Sequence, residues 1–378
     1  MIPNHTLSDA AVRLYQYIMQ KHWNGQALVG PDPGVRFNSR IGRFIKSYLS
    51  FISWSDNIAY IQGQKYWILN NWSMMDMGLV DVKLCREVAV SCTDYLVTVQ
   101  KPEGYWEHPN PEWADRIATV EGNYGAMGLL ETYLRTEDEK FLKGAIQWYR
   151  FMIEHIGFQN RDGFWAINYF KDRGTMMIPN ISVSALRMCA MLAKATDDDR
   201  YLEYSERLVA WLNHVQMVTG ELPYGVNSVN GKSRIHFLCY QYNAFEFLNL
   251  ADYYQMTGDR NIWPVLEKLA GYVAESITET DGCRYDCQRE KPEVLYYGMA
   301  AGAALRRATE LDIGNYGSLA DRACKRILSQ QREDGGIAFY SQGNYGFLTD
   351  RRSYPRYLSM ILYHMLLTLS LSESHTSK

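Results

Sequence analysis

Gly220-Glu-Leu-Pro-Tyr-Gly-Val-Asn-Ser-Val-Asn-Gly-Lys-Ser-Arg-Ile-His-Phe-Leu-Cys-Tyr-Gln-Tyr-Asn-Ala-Phe-Glu-Phe-Leu-Asn249 changes character halfway along. It opens with turn residues and passes through a polar loop holding Asn227, Asn230, Arg234 and His236. It then becomes an apolar, aromatic segment with helical spacing. A loop that carries polar side chains to the start of a buried helix is one way to furnish a pocket. The chain repeats this layout about five times.

Three segments that precede such turns begin almost alike: Thr136-Glu-Asp-Glu-Lys-Phe-Leu, Thr196-Asp-Asp-Asp-Arg-Tyr-Leu and Thr257-Gly-Asp-Arg-Asn-Ile-Trp. Hydroxyl and carboxylate groups there can cap the free N–H groups of a helix start. Amphipathic runs follow, as in Tyr201 to Val215, with apolar residues every three or four positions. After each run comes a turn with aromatics: Gly104-Tyr-Trp, Asp162-Gly-Phe-Trp, Gly220-Glu-Leu-Pro-Tyr, Asp281-Gly-Cys-Arg-Tyr and Asp334-Gly-Gly-Ile-Ala-Phe-Tyr. Second helices are expected near Val120, Ile181, Phe237, Val294 and Tyr354. These are less charged and richer in small or aromatic residues, which makes them the inner set.

The period is therefore roughly sixty residues with two helices per unit, a helical-hairpin array. Further helices near residues 8–21, 38–55 and 58–76 supply a partial unit. The expected fold is all-α, an (α/α)6 toroid of about six helical hairpins whose inner helices line a funnel. An open solenoid would want more repeats and polar caps. No linker or charge block interrupts the array, so residues 1–371 are read as one toroid domain and 372–378 as a disordered tail.

Composition narrows the partners. At 47% hydrophobic and 21% charged, the 378 residues describe a soluble globular protein. A net charge of −3 argues against nucleic acid or an anionic membrane as the main partner. The 28 Tyr and 10 Trp suit a sugar or hydrocarbon pocket, where flat faces stack and polar tips bond. Seven scattered cysteines read as free buried thiols. The N-terminus lacks a signal-peptide pattern, and the most apolar window, Tyr357 to Leu371, is too short for a transmembrane segment. The expectation is a cytoplasmic monomer or homodimer that needs no cofactor or metal.

The repeat resembles the six-hairpin toroid superfamily of glycosidases, uronate-polysaccharide lyases, sugar epimerases and terpenoid cyclases. That resemblance places the active centre where the turn-to-inner-helix loops converge: residues 106–124, 165–180, 224–240, 285–297 and 340–356. Glu121-Gly-Asn-Tyr-Gly-Ala-Met is similar to the Glu-Gly-x-x-Tyr-Gly-Met motif of inverting (α/α)6 cellulases and chitosanases, with the Glu-to-Tyr spacing one residue shorter. The likeness implies Glu121 as general acid. Desolvation at the mouth of an apolar funnel would raise its pKa, as protonation of a glycosidic oxygen requires. A second carboxylate about 6.5–9.5 Å away would activate water; Asp115, Asp286 and Asp350 are candidates.

Uronate lyases and glucuronyl epimerases of this superfamily rely instead on Tyr, His, Asn and Arg. Tyr240, His236, Arg234 and Asn227 bring those residue types together in one loop. The expected substrate-binding residues are Trp106, His108, Arg116, Tyr124, Trp165, Tyr224, Asn227, Arg234, Tyr285, Tyr297, Tyr340, Tyr345 and Arg351. Gly30-Pro-Asp-Pro-Gly, with Asp32, Arg36 and Arg40 in or after it, either completes one wall of the funnel or is a stiff connector. The leading expectation is an enzyme that binds an oligo- or polysaccharide, neutral or uronic acid-containing, and cleaves or remodels it by acid–base chemistry. The alternatives are a terpenoid cyclase that folds a polyprenyl substrate among stacked aromatics, and a non-catalytic glycan-binding or scaffold toroid. The Asp197-Asp-Asp199 triplet reads as a helix cap rather than a cyclase acid, and Asp281-Gly-Cys283 resembles a prenyltransferase zinc segment without its third ligand.

Overall fold

The repeated Thr-x-Asp has a geometric reason. Thr136, Thr196 and Thr257 each end one helix. The residue after each adopts a left-handed backbone, with φ of 57° at Glu137, 52° at Asp197 and 68° at Gly258. The next Asp then caps the following helix or 3-10 turn: Asp138 accepts from the Lys140 N–H, Asp198 from Arg200 and Asp259 from Asn261. One tripeptide thus closes one helix and starts its neighbour. The Thr hydroxyls bond back to carbonyls of the old helix, as Thr136 does to Thr132, and those of Thr136 and Thr257 also accept the N–H of the capping Asp.

A computed structural model describes residues 4–35, 41–54, 56–172, 174–234 and 239–376. Its helices are α1 (Asn4–Lys21), α2 (Gly42–Tyr48), α3 (Ile61–Asp76), α4 (Val82–Val99), α5 (Thr119–Thr136), α6 (Glu139–Phe151), α7 (Pro179–Thr196), α8 (Ser205–Val215), α9 (Cys239–Thr257), α10 (Trp263–Ala274), α11 (Leu295–Glu310), α12 (Gly317–Leu328) and α13 (Pro355–Thr376). The odd-numbered helices from α3 to α13 pack in sequence against one another, and α13 packs back on α3. That last contact closes the ring. Helices α4, α6, α8, α10 and α12 lie against this inner ring, and α1 covers α13. The fold is an (α/α)6 toroid.

The strands are accessory. β1 (Phe158–Arg161) and β2 (Phe164–Ile167) form an antiparallel hairpin, while β3 (Met176–Met177), β4 (Gly225–Asn227) and β5 (Ser233–Arg234) join two neighbouring loops.

A glutamine clamp sets the outer layer. Gln216, after α8, donates to the Gly220 carbonyl at 2.8 Å and to the Val265 carbonyl of α10 at 3.0 Å. Gln100 and Gln331 make the equivalent pairs, and Gln331 reaches Ala10 of α1 across the ring closure. The turn glycines sit under these clamps. A Cβ on Gly220 (φ 103°) would stand 2.6 Å from the Lys268 carbonyl oxygen, and one on Gly335 (φ 87°) 2.5 Å from that of Arg13. Glycine is required at both for φ and for space.

One continuous apolar core runs from Leu7 to Leu369. No helix among the described residues is long and apolar enough to cross a membrane. The last helix continues past Leu371 to Thr376, into the stretch assigned from sequence to a tail.

Candidate active site

The N-terminal ends of the inner helices surround a cavity of about 300 Å³. Each contributes from its first turns or from the residue just before it: Tyr60 and Gln62 for α3, Glu121 and Tyr124 for α5, Asn180 for α7, Tyr242 and Phe245 for α9, Tyr296 for α11, Arg356 and Tyr357 for α13. The preceding loops add Gly34, His108, Asn110, Trp113, Tyr169 and Tyr224. Six helix N-termini aimed at one space give it a positive electrostatic bias. The wall is dominated by aromatic faces with hydroxyl tips, the lining expected for a polyol.

Glu121 is the acidic residue among the described lining residues. It stands in the first turn of α5 and is 2% exposed. Burial pushes its carboxyl up to about 7; Arg356 and the N–H groups of Gln62 and Ile61 at the start of α3 pull the other way, while Asp32 adds to the rise. The carboxyl therefore exists in both forms near neutral pH. Its Oε2 makes no hydrogen bond among the described residues.

His108 faces it, with Nε2 4.0 Å from Glu121 Oε1. Its Nδ1 accepts the Asn110 N–H at 3.1 Å, which leaves the neutral ring its proton on Nε2, toward Glu121. Burial, and then the Arg356 charge, lower the imidazole to about 4, so it is neutral near pH 7 and the contact with Glu121 is not an ion pair. The ring is fixed between Trp113, at 4.9 Å, and the edge of Tyr60, at 6.1 Å. An oxygen placed between the two groups can reach both. His108 is built to donate to it, Glu121 to give or take a proton.

Arg356 supplies the positive charge at this wall. Asp32, 1% exposed, holds it through Nε–Oδ2 at 2.7 Å and Nη2–Oδ1 at 2.8 Å. The guanidinium carbon lies 4.1 Å from the ring centre of Tyr60 and 4.5 Å from that of Tyr357.

Of the residues singled out from sequence, Glu121, His108, Tyr124 and Tyr224 line this cavity. The other described ones are placed elsewhere. Asp115 and Arg116 are exposed, the latter over the rings of Trp113 and Phe170. Asp350 is buried outside the lining, where it accepts from the Tyr354 hydroxyl and the Arg352 N–H. Asp286 is tied to Arg289. Tyr240 stacks on Tyr272 at 4.7 Å, away from the cavity. Trp106 is a core residue whose indole donates to Leu96, and Trp165 packs under Arg207 on β2. Asn227 organises its own turn by accepting from Val229 and Asn230; Arg234 ends β5, exposed, 6.0 Å from the Tyr224 ring. Tyr340 and Tyr345 enclose Arg43, Tyr285 stacks on Tyr297, and Arg351 covers Tyr48. His236, Arg36 and Arg40 lie outside the described residues.

Residues 123–301 match the family model described as glycosyl hydrolase family 76. No curated protein sequence matches the chain. Among solved structures, it is similar to a GH76 alpha-mannanase from Bacteroides thetaiotaomicron, with TM-score 0.69 and 12% identity over 100% of this chain and 98% of that one. A cellobiose 2-epimerase from Bacillus thermoamylovorans gives TM-score 0.73 and 13% identity over 96% and 99%. A possible GH105 member from Salmonella enterica gives 0.68 and 12% over 99% and 96%. At these identities the likeness establishes the fold, an (α/α)6 toroid. With the family match, it supports a carbohydrate-active enzyme.

Proposed function

We propose that the chain remodels a uronic acid-containing oligo- or polysaccharide by proton transfer at Glu121, in the manner of a lyase. The observation that carries this reading is the 4.0 Å contact of one buried carboxyl with one neutral, proton-donating imidazole. An inverting hydrolase needs two carboxyl groups about 6.5–9.5 Å apart, and a retaining one about 5–5.5 Å apart. Among the described lining residues Glu121 has no such partner, and Asp32 is held by Arg356.

One carboxyl suffices for β-elimination. The Glu121 carboxylate takes the proton beside the uronate carboxyl. The released C–H electron pair forms the C=C bond as the glycosidic C–O bond breaks, and the proton passes from Glu121 to the leaving oxygen. His108 Nε2–H and the Arg356 guanidinium stabilise the negative charge that develops on the uronate. A cytoplasmic setting is part of this reading. Hydrolysis, with Glu121 as general acid, is the second reading, favoured by the family match over residues 123–301.

Incubation with a panel of mannose-based and uronic polysaccharides separates the two. Unsaturated, ultraviolet-absorbing ends that vanish with Glu121→Gln support elimination. New reducing ends without unsaturation give hydrolysis, and turnover of a polyprenyl diphosphate alone would overturn both.

A further inference from the structure

Asp32 and Arg356 form a buried ion pair against the same wall as Glu121, contributed by parts of the chain 324 residues apart. Both Asp32 oxygens lie on the guanidinium, and Oδ1 also accepts the Gly34 N–H at 2.7 Å. Arg356 is sandwiched by Tyr60 and Tyr357, donates to the Tyr357 hydroxyl, and lies 3.4 Å from Gln62 Oε1. Gly34 lines the cavity itself, and a Cβ there would stand 2.8 Å from Asp32 Oδ1, so the loop closes tightly over the pair. A stacked, doubly held guanidinium has one position.

We propose that Asp32 is a positioning residue for the reaction: it fixes the Arg356 guanidinium beside Glu121 and offsets its charge, so that Glu121 can both take and return a proton. The inference rests on the proton-transfer role assigned to Glu121 above. The groups that face this carboxyl are His108 from the loop before α5, Tyr124 on α5 itself, Tyr60 and the backbone N–H groups of Ile61 and Gln62 at α3, Tyr169 before α7, and Arg356 with Asp32 behind it. Of these, Arg356 alone is a fixed positive charge, because His108 is neutral. An unopposed Arg356 would hold Glu121 ionised, a base that cannot give its proton back. Without Arg356, burial would keep it protonated.

The test is the titration of the Glu121 carboxyl, read by its protonated C=O infrared band and assigned by its loss in Glu121→Gln. It needs no substrate, so it stays interpretable if the lyase reading fails. Asp32→Asn should move the midpoint down by about one pH unit, as an uncompensated neighbouring charge does. Arg356→Gln should move it up, and the double variant D32N/R356Q should fall between the singles. The pH profile of kcat/KM should shift in the same directions, which a purely structural pair would not produce. Breaking a buried pair costs stability; if Asp32→Asn does not fold, Arg356→Gln and the double variant carry the comparison. Folded variants whose Glu121 midpoint stays at the wild-type value would overturn the proposal, as would failure of all three to fold.

Discussion

The indole of Trp148 fills the space where a side chain on Gly122 would stand: a Cβ there would fall 2.2 Å from its ring carbons. The same indole donates to Asn123 Oδ1 at 3.0 Å. Trp148 of the outer helix α6 therefore grips the two residues that follow Glu121, which sets the azimuth of α5 and points the carboxyl into the cavity. Gly122→Ala should destabilise the protein by about 1–3 kcal/mol through overpacking, measured by denaturant unfolding, and should lower activity by displacing Glu121. An unchanged unfolding midpoint would mean that the indole yields freely.

Removing the acid–base group tests the chemistry. Glu121→Gln keeps the shape and should lower kcat by about 10²–10⁴-fold, with little change in the melting temperature, since a buried carboxyl is exchanged for a neutral amide. His108→Phe removes the Nε2 donor and should cost about 10²-fold in kcat. A loss below about tenfold for Glu121→Gln would remove it from the proton-transfer role.

The direction of the pH profile discriminates between the two proposed reactions. Elimination begins with Glu121 as carboxylate, so kcat/KM should rise with pH through about 7 and level off above it. Hydrolysis begins with the protonated acid and should fall over the same range. His108 titrates near 4 and adds no limb between pH 5 and 8. A rising limb that disappears in Glu121→Gln is the expected result.

Lys65 marks a stability cost in the inner ring. Its Nζ lies 4.1 Å from the ring centre of Tyr66 and 5.1 Å from that of Tyr363, without a hydrogen-bond partner among the described residues. Burial, and then the Arg187 charge, hold it well below the usual lysine range. The folded chain therefore holds this proton less tightly than the unfolded one, and stability contributed by this site is lost as pH falls. Lys65→Met should stabilise the protein at neutral pH by about 1 kcal/mol or more and flatten the dependence of its unfolding midpoint on pH. A variant less stable than wild type would show that the contacts with the rings outweigh desolvation.

Much of the toroid was legible because its signals are local. Inner helices expected near Val120, Ile181, Val294 and Tyr354 begin at Thr119, Pro179, Leu295 and Pro355. The helix expected over residues 38–55 is the shorter α2, Gly42–Tyr48, within the described part of that stretch. The Gln clamp carries no local signal, because each glutamine bonds a carbonyl of the next outer helix, some forty to fifty residues away, or, for Gln331, across the ring closure.

The sequence by itself determined the hairpin period, the division into inner and outer helices, and Glu121 at the start of an inner one. Each depends on spacing within a few turns, where helical geometry fixes which side chains share a face. Only the tertiary structure decided what meets Glu121. His108 belongs to its own loop, but Asp32, Tyr60, Tyr242 and Arg356 come from different repeats, brought together by the contact of α13 with α3. The same closure left Asp350 and Tyr240 behind the wall, bonded to Tyr354 and stacked on Tyr272. The burial that raises the Glu121 carboxyl and lowers the His108 imidazole exists only in the closed ring, because no single hairpin can exclude water from them.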